Sequence, residues 1–289
     1  MIRKILVPVR GDGKGDNVLA HAAALAHRYS AHIEVVHCRP RPEDLMPYGI
    51  AIPEYLKRQL LKQSYQVADQ EEAGMRGELE VLANRLKLDQ SGASIGKSAT
   101  VAFVEEPGRQ VDVIKRRGRL ADLIAVAKPD RDRNLGFNTL KAALFNSGRP
   151  VLMCPPRAAD TFGAPEALGA RVALAWNGSA EAARALSQCI GVLRHAETVW
   201  ILSNGEDAGT GTGAEDVVDY LRLHGISPAI ERFAADRRIG RELLSTCAAV
   251  GADMLLMGAY GDSHERETVF GGNTQTVVDT AAMPVLFNH

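Results

Sequence analysis

Short apolar runs alternate along this chain with longer stretches whose apolar residues recur every three or four positions. Ile5-Leu-Val-Pro-Val9 is such a run. It leads through a glycine turn at Gly11 into an alanine-rich amphipathic stretch, Val18 to Tyr29. A second run, Ile33 to His37, follows. The aliphatic runs read as buried strands and the three-to-four spacing as helices packing one face inward. The order then repeats. Val172-Ala-Leu-Ala-Trp176, a turn at Gly178, a helical stretch from Ala180 to Arg194 and a run from Thr198 to Leu202 mirror the opening. Further on, Gly108-Arg109 matches Gly240-Arg241, and Ala121-Asp-Leu-Ile-Ala-Val126 matches Ala252-Asp-Met-Leu-Leu-Met257. Arg149-Pro-Val-Leu-Met153 matches Met283-Pro-Val-Leu-Phe287.

Strands alternating with helices predict parallel sheets covered on both faces. The expected fold is α/β: two tandem, doubly wound, parallel five-stranded sheets with four helices each. The segment from Pro155 to Gly169, with prolines, alanines and glycines, reads as the linker. It divides the chain into domains 1–156 and 169–289.

Two inserts distinguish the halves. In the first, a proline-marked loop (Pro40, Pro42, Pro47, Pro53) precedes a long polar helix from Glu54 to Leu86. Met75, Leu79, Leu82 and Leu86 share one of its faces, which suits packing on the sheet better than a partner coiled coil. In the second, Asn204 to Gly213 is glycine-rich without the order or lysine of a P-loop, and reads as a surface loop.

Of the 289 residues, 46% are hydrophobic, enough for well-buried cores and against disorder. The net charge of -1 gives no basic signature of nucleic-acid binding. No run approaches the ~18 apolar residues of a membrane span, and the apolar stretch near Met1 is too short for a signal peptide. Cys38, Cys154, Cys189 and Cys247 are far apart and form no C-x-x-C pair. They read as reduced, mostly buried thiols, and the expected location is the cytoplasm.

The chemistry concentrates near the C-terminus. Gly258-Ala-Tyr-Gly261, nine residues, then Gly271-Gly272-Asn273-Thr274 follow the run Met254 to Met257 and lead into a helix expected over Thr274 to Ala281. Glycines between a strand and a helix N-terminus let main-chain N–H groups approach an anion, where the helix dipole favours it. The alternative is tight turns alone. In the loop between, Arg266 is a candidate phosphate contact.

With these residues the chain resembles a tandem universal stress protein over nearly its whole length. Nucleotide-binding members carry G-x-x-G, nine residues, then G-[ST]; Gly258, Gly261 and Gly271 match in type and spacing. The resemblance implies an adenine nucleotide alpha-hydrolase-like fold and a stress-response role. It also implies ATP or AMP at the strand ends, with Mg²⁺ accompanying a triphosphate through its phosphates. The implied site residues are Asn177, Ser203, Gly258, Gly261, Gly271, Gly272, Asn273 and Thr274. Finally, it implies that Val151 to Met153 and Val285 to Phe287 pair across a pseudo-twofold axis within one chain. A further homodimer and a protein partner are left open.

The chain departs from the pattern in places. Gly272 stands where the family has Ser or Thr, so a phosphate-binding hydroxyl falls to Thr274 or an amide to Asn273. Asn177 stands where an acidic residue contacts the nucleoside, and is read either as that contact or as a turn former. Trp176 reads as sheet packing. The first half has Ala127-Lys-Pro-Asp130 in place of the glycine pair and Arg10 after its first strand. Its Arg10 to Asp16 segment reads as a turn, with Asp16 or Asn17 capping the helix. One competent site is expected, in the second half, beside a degenerate first half. His32 and His37 read as structural rather than metal ligands. No catalytic set is recognisable, so an enzyme is the weaker expectation. A ligand-free tandem scaffold and a slow ATPase are the alternatives.

Overall fold

The protein is described by a computed structural model over residues 1–9, 15–39, 53–92, 96–133, 135–156, 165–205, 211–234, 238–260 and 272–289. The first half contributes strands β1 (Lys4–Val9), β2 (His32–Arg39), β3 (Thr100–Pro107), β4 (Leu123–Ala127) and β5 (Val151–Cys154). Helices α1 (Gly15–Tyr29), α2 (Glu54–Arg85), α3 (Gln110–Gly118) and α4 (Phe137–Ser147) alternate with them. The second half contributes β6 (Arg171–Ala175), β7 (Thr198–Ser203), β8 (Ala229–Arg232), β9 (Met254–Gly258) and β10 (Val285–Asn288). Its helices are α5 (Ala180–Gln188), α6 (Ile190–Leu193), α7 (Ala214–Leu223), α8 (Ile239–Ala249) and α9 (Gly272–Thr280). The stretch expected as one helix from Ala180 to Arg194 is thus two, broken at Cys189.

All ten strands form one sheet in the order β3-β2-β1-β4-β5-β10-β9-β6-β7-β8. Each half is parallel and doubly wound. The halves join where β5 and β10 run antiparallel, with Val285 opposite Met153, Leu286 opposite Leu152 and Phe287 opposite Val151. These are the residues expected to meet. All six are essentially inaccessible to water, so the seam is continuous core rather than a surface contact.

The sheet separates two apolar layers. One lies under α1, the C-terminal part of α2, α5 and α7, and the other under α3, α4, α8 and α9. Leu79 and Leu86 of α2 are buried, as its periodicity predicts. Nearer the N-terminus of α2, Glu72 is buried beside Arg39 (3.1 Å) and His37 (3.7 Å). His32 Nδ1 lies 2.8 Å from Thr100 Oγ1, across neighbouring strands. The repeated Ala-Asp pair has a structural purpose. Asp122 accepts the N–H groups of Arg3 and Lys4 (2.7 and 2.9 Å). Asp253 likewise accepts those of Gly169 and Arg171 (2.7 Å each). Each carboxylate therefore ties the start of the central strand to its neighbour.

Helix α1 begins at Gly15, so Asp16 and Asn17 lie inside its first turn rather than capping it. Asn17 instead donates from Nδ2 to the Pro155 carbonyl (2.7 Å). The Arg10 turn lies outside the described residues. Cys154, Cys189 and Cys247 are buried and Cys38 is partly so; none forms a disulfide.

Candidate functional site

In the second half β6 lies between β7 and β9, and the chain leaves it in opposite directions on the two sides. That arrangement opens a crevice beyond the strand C-termini. A cavity of about 380 Å³ occupies it, within the range of small-molecule sites. The strand ends Ala175, Leu202 and Met257 form its floor. Ile239, Gly240 and Leu243 of α8 form one wall, and the first turns of α5 and α9 form two more.

The structure brings five of the eight expected residues to this cavity: Asn177, Gly258, Gly272, Asn273 and Thr274. Ser203 is buried below them, where its hydroxyl accepts the Gly205 N–H (3.1 Å). Gly261, Gly271 and Arg266 lie outside the described residues. Helix α9 starts at Gly272, two residues before the expected Thr274. Gly272 and Asn273 therefore belong to its first turn, whose main-chain donors have no partner within the helix. Thr274 is buried, and its hydroxyl oxygen lies 3.5 Å from the Tyr260 N–H.

Gly258 has a reason its sequence context did not show. A Cβ there would lie 2.6 Å from the Ala182 nitrogen and the Glu181 carbonyl carbon. The glycine lets the start of α5 lie directly on the end of β9. Gly240 does the same between α8 and α9, where a Cβ would meet the Asn273 oxygen at 2.9 Å. Around Gly272, by contrast, a Cβ would meet nothing within 4 Å. Gly272 thus faces open space at the helix start.

Asn177 is a turn former that also borders the cavity. Its Oδ1 accepts the Ser179 N–H (3.2 Å), and Ser179 caps α5 by accepting the Ala182 N–H (3.2 Å). Trp176 is core, with Nε1 donating to the Thr212 carbonyl (2.9 Å). Sequence reasoning missed Glu181. It is the one charged side chain among the described lining residues, only 13% exposed and 3.3 Å from Arg184. Its signal was positional: two residues after a capping serine, it must fall in the first turn of α5, beside the end of β9. Positive character at the cavity comes, among these residues, from the N-terminal ends of α5, α8 and α9.

The corresponding corner of the first half is built differently. Lys128 and Ala259 are equivalent: their N–H groups donate to the Cys154 and Asn288 carbonyls (2.8 and 2.7 Å). Lys128 Nζ reaches across the seam to the Ala281 carbonyl (2.8 Å), and Arg131 pairs with Asp279 (2.5 Å). Burial lowers the Lys128 pKa against the opposing pull of Asp279.

Residues 1–137 match the family model described as the Universal stress protein family. Over those residues, its first half, the chain is of the universal stress protein family. Its fold is that of a universal stress protein from Archaeoglobus fulgidus DSM 4304, at TM-score 0.67 and 16% identity, covering 99% of this chain and 97% of that one. A putative universal stress protein from Pseudomonas aeruginosa UCBPP-PA14 matches at TM-score 0.56 and 18% identity, covering 99% and 93%. No curated protein matches the chain. The ten strands form the family fold twice, in tandem. The family match falls on the half without the glycine pattern. Among the described residues, no helix is long and apolar enough to cross a membrane.

Proposed function

We propose that the second half binds an adenine nucleotide, ATP or AMP, in the cavity between β6, β7, β9 and α9, and that occupancy serves a stress response as a switch. One observation carries this reading: a cavity of ligand size lies at the sheet's switch point and is faced by the first turn of α9. The glycine spacing supports phosphate at that turn. Ala175, Leu202, Met257 and Phe233 offer an apolar bed for a base. The domain division at 1–156 and 169–289, with a degenerate first site, belongs to the same reading, as does a cytoplasmic location. A hard cation such as Mg²⁺ fits the one carboxylate among the described lining residues, that of Glu181, and would offset phosphate charge there.

A second reading, a ligand-free tandem scaffold, draws on Gly258, whose identity packing alone accounts for. Gly272→Val separates the two. The position is open, so the fold tolerates the side chain, while an anion at the α9 amides would meet it. Calorimetric titration of ATP should give one site per chain, weakened at least about tenfold in the variant, a loss of about 1.4 kcal/mol. Absence of ATP binding by the wild-type chain at millimolar concentration favours the scaffold.

A further inference from the structure

We propose that the first half is a positioning subunit for the second half's site, gripping Tyr260 beyond β9 and the C-terminal end of α9. The grip stands on geometry alone; its effect on nucleotide rests on the reading above. At the far end of α9, Lys128 donates to the Ala281 carbonyl and Arg131 pairs with Asp279, which Gln275 also contacts at 2.7 Å. A cation at a helix C-terminus complements its dipole. At the near end, the Phe145 ring of α4 packs on Tyr260 and His289, with centroids 5.1 and 4.8 Å apart. Tyr260 follows Gly258 by two residues and holds a left-handed backbone, φ 59°. Its N–H points to Thr274 in the first turn of α9.

The two contacts occupy the same place in their halves. The Pro150 and Pro284 carbonyls accept equivalent bonds from Ile124 and Leu255, which aligns Phe145 with Asp279. One half thus offers an aromatic ring there and meets a ring and an imidazole. The other offers a carboxylate and meets an ammonium and a guanidinium. Two first halves paired at this seam would set Phe145 against Lys128 and Arg131. The seam matches one unlike pair. Its first-half member uses the connection that lacks glycines to hold the helix that follows them. A ligand needing the first turn of α9 is then coupled to the seam, and the coupling is reciprocal.

Hydrogen exchange of the full chain tests this, with peptides covering residues 272–280 and with ATP titration alongside. Lys128→Met with Arg131→Gln removes the charges and keeps most of the side-chain volume. The pair should speed α9 exchange about tenfold and weaken ATP about tenfold, while β6 and β7 keep their protection. Lys128→Arg, alone, should retain both properties. Phe145→Leu should speed α9 exchange less than the charge removal does. Unchanged α9 exchange in the double variant overturns the grip. Faster α9 exchange with unchanged ATP affinity overturns the coupling. If the wild-type chain binds no ATP, the nucleotide reading fails, and α9 exchange still decides the grip.

Discussion

At equivalent strand ends the first half has Ala127 and the second Gly258. Both are followed by an N–H that bonds the neighbouring strand, so the backbone frame is shared. What differs is the helix packed against it. In the second half the start of α5 lies so close to β9 that a Cβ would strike its backbone. The first half accommodates a methyl group there. It directs the residues that follow, Lys128 and Arg131, across the seam rather than around a cavity. One scaffold thus yields a candidate ligand corner and a docking corner. The family match follows the first half, where the glycine pattern is missing, so it follows the pattern of strands and helices rather than the site.

Exchanging these residues gives the largest contrast. Gly258→Ala should cost about 3 kcal/mol in chemical denaturation, because the obstacle is main chain rather than a side chain that can move. Ala127→Gly should cost only about 1 kcal/mol, from added chain freedom. Equal costs would show that the two corners pack alike.

Next comes the strand pair β1–β2 against β6–β7, where Glu34 corresponds to Trp200. Glu34 is nearly buried. Burial raises its pKa, but Lys4 (2.9 Å) and Arg117 (2.8 Å) more than offset this, leaving it below the usual carboxylate range. Arg117 also pairs with Glu106, which in turn meets Arg116. A lowered folded-state pKa contributes stability that is complete above the unfolded value, near 4.5, and is lost as pH falls through the folded one. Glu34→Gln should therefore destabilise the chain by about 1–2 kcal/mol at pH 7 and flatten the loss of melting temperature below pH 4.5. An identical acid limb in variant and wild type contradicts this.

A smaller effect is expected where Cys154 corresponds to Asn288. Both are buried, and among the described residues neither Oδ1 nor Nδ2 of Asn288 has a hydrogen-bond partner. Asn288→Cys, copying the first half, should stabilise the chain by about 1 kcal/mol in thermal unfolding. A loss would mean that the amide is satisfied by water. The mildest probe is thiol labelling at pH 8. Burial pushes Cys189 and Cys247 up to about 12 and raises Cys154 as well. One thiol, Cys38, should react quickly in the folded chain and four in denaturant. Two or more fast thiols would break the picture of sealed cores.

Much of the architecture was legible because apolar runs and the three-to-four spacing report burial directly. The β5–β10 pairing followed from a repeated Pro-Val-Leu segment and the family it resembles. The site was legible as a place and only partly as a mechanism. Gly258 stood out by spacing, but the reason for it is α5, which is remote in sequence. Glu181 was hidden in an alanine-rich helix, and its relevance depends on which strand end that helix covers. Lys128 registered only as part of a stretch without the glycine pair, and Arg131 not at all, because their partners, Ala281 and Asp279, lie about 150 residues away. The cap expected at Asp16 or Asn17 failed because local preference for a cap does not fix where a helix begins.

The decisive measurement is a crystal of the full chain grown with ATP. The account predicts one nucleotide per chain, its phosphates within hydrogen-bonding reach of the Gly272, Asn273 and Thr274 amides and its base over Ala175 and Leu202. Density at the ends of β1 and β4 instead, or an empty cavity at saturating ATP, would contradict it.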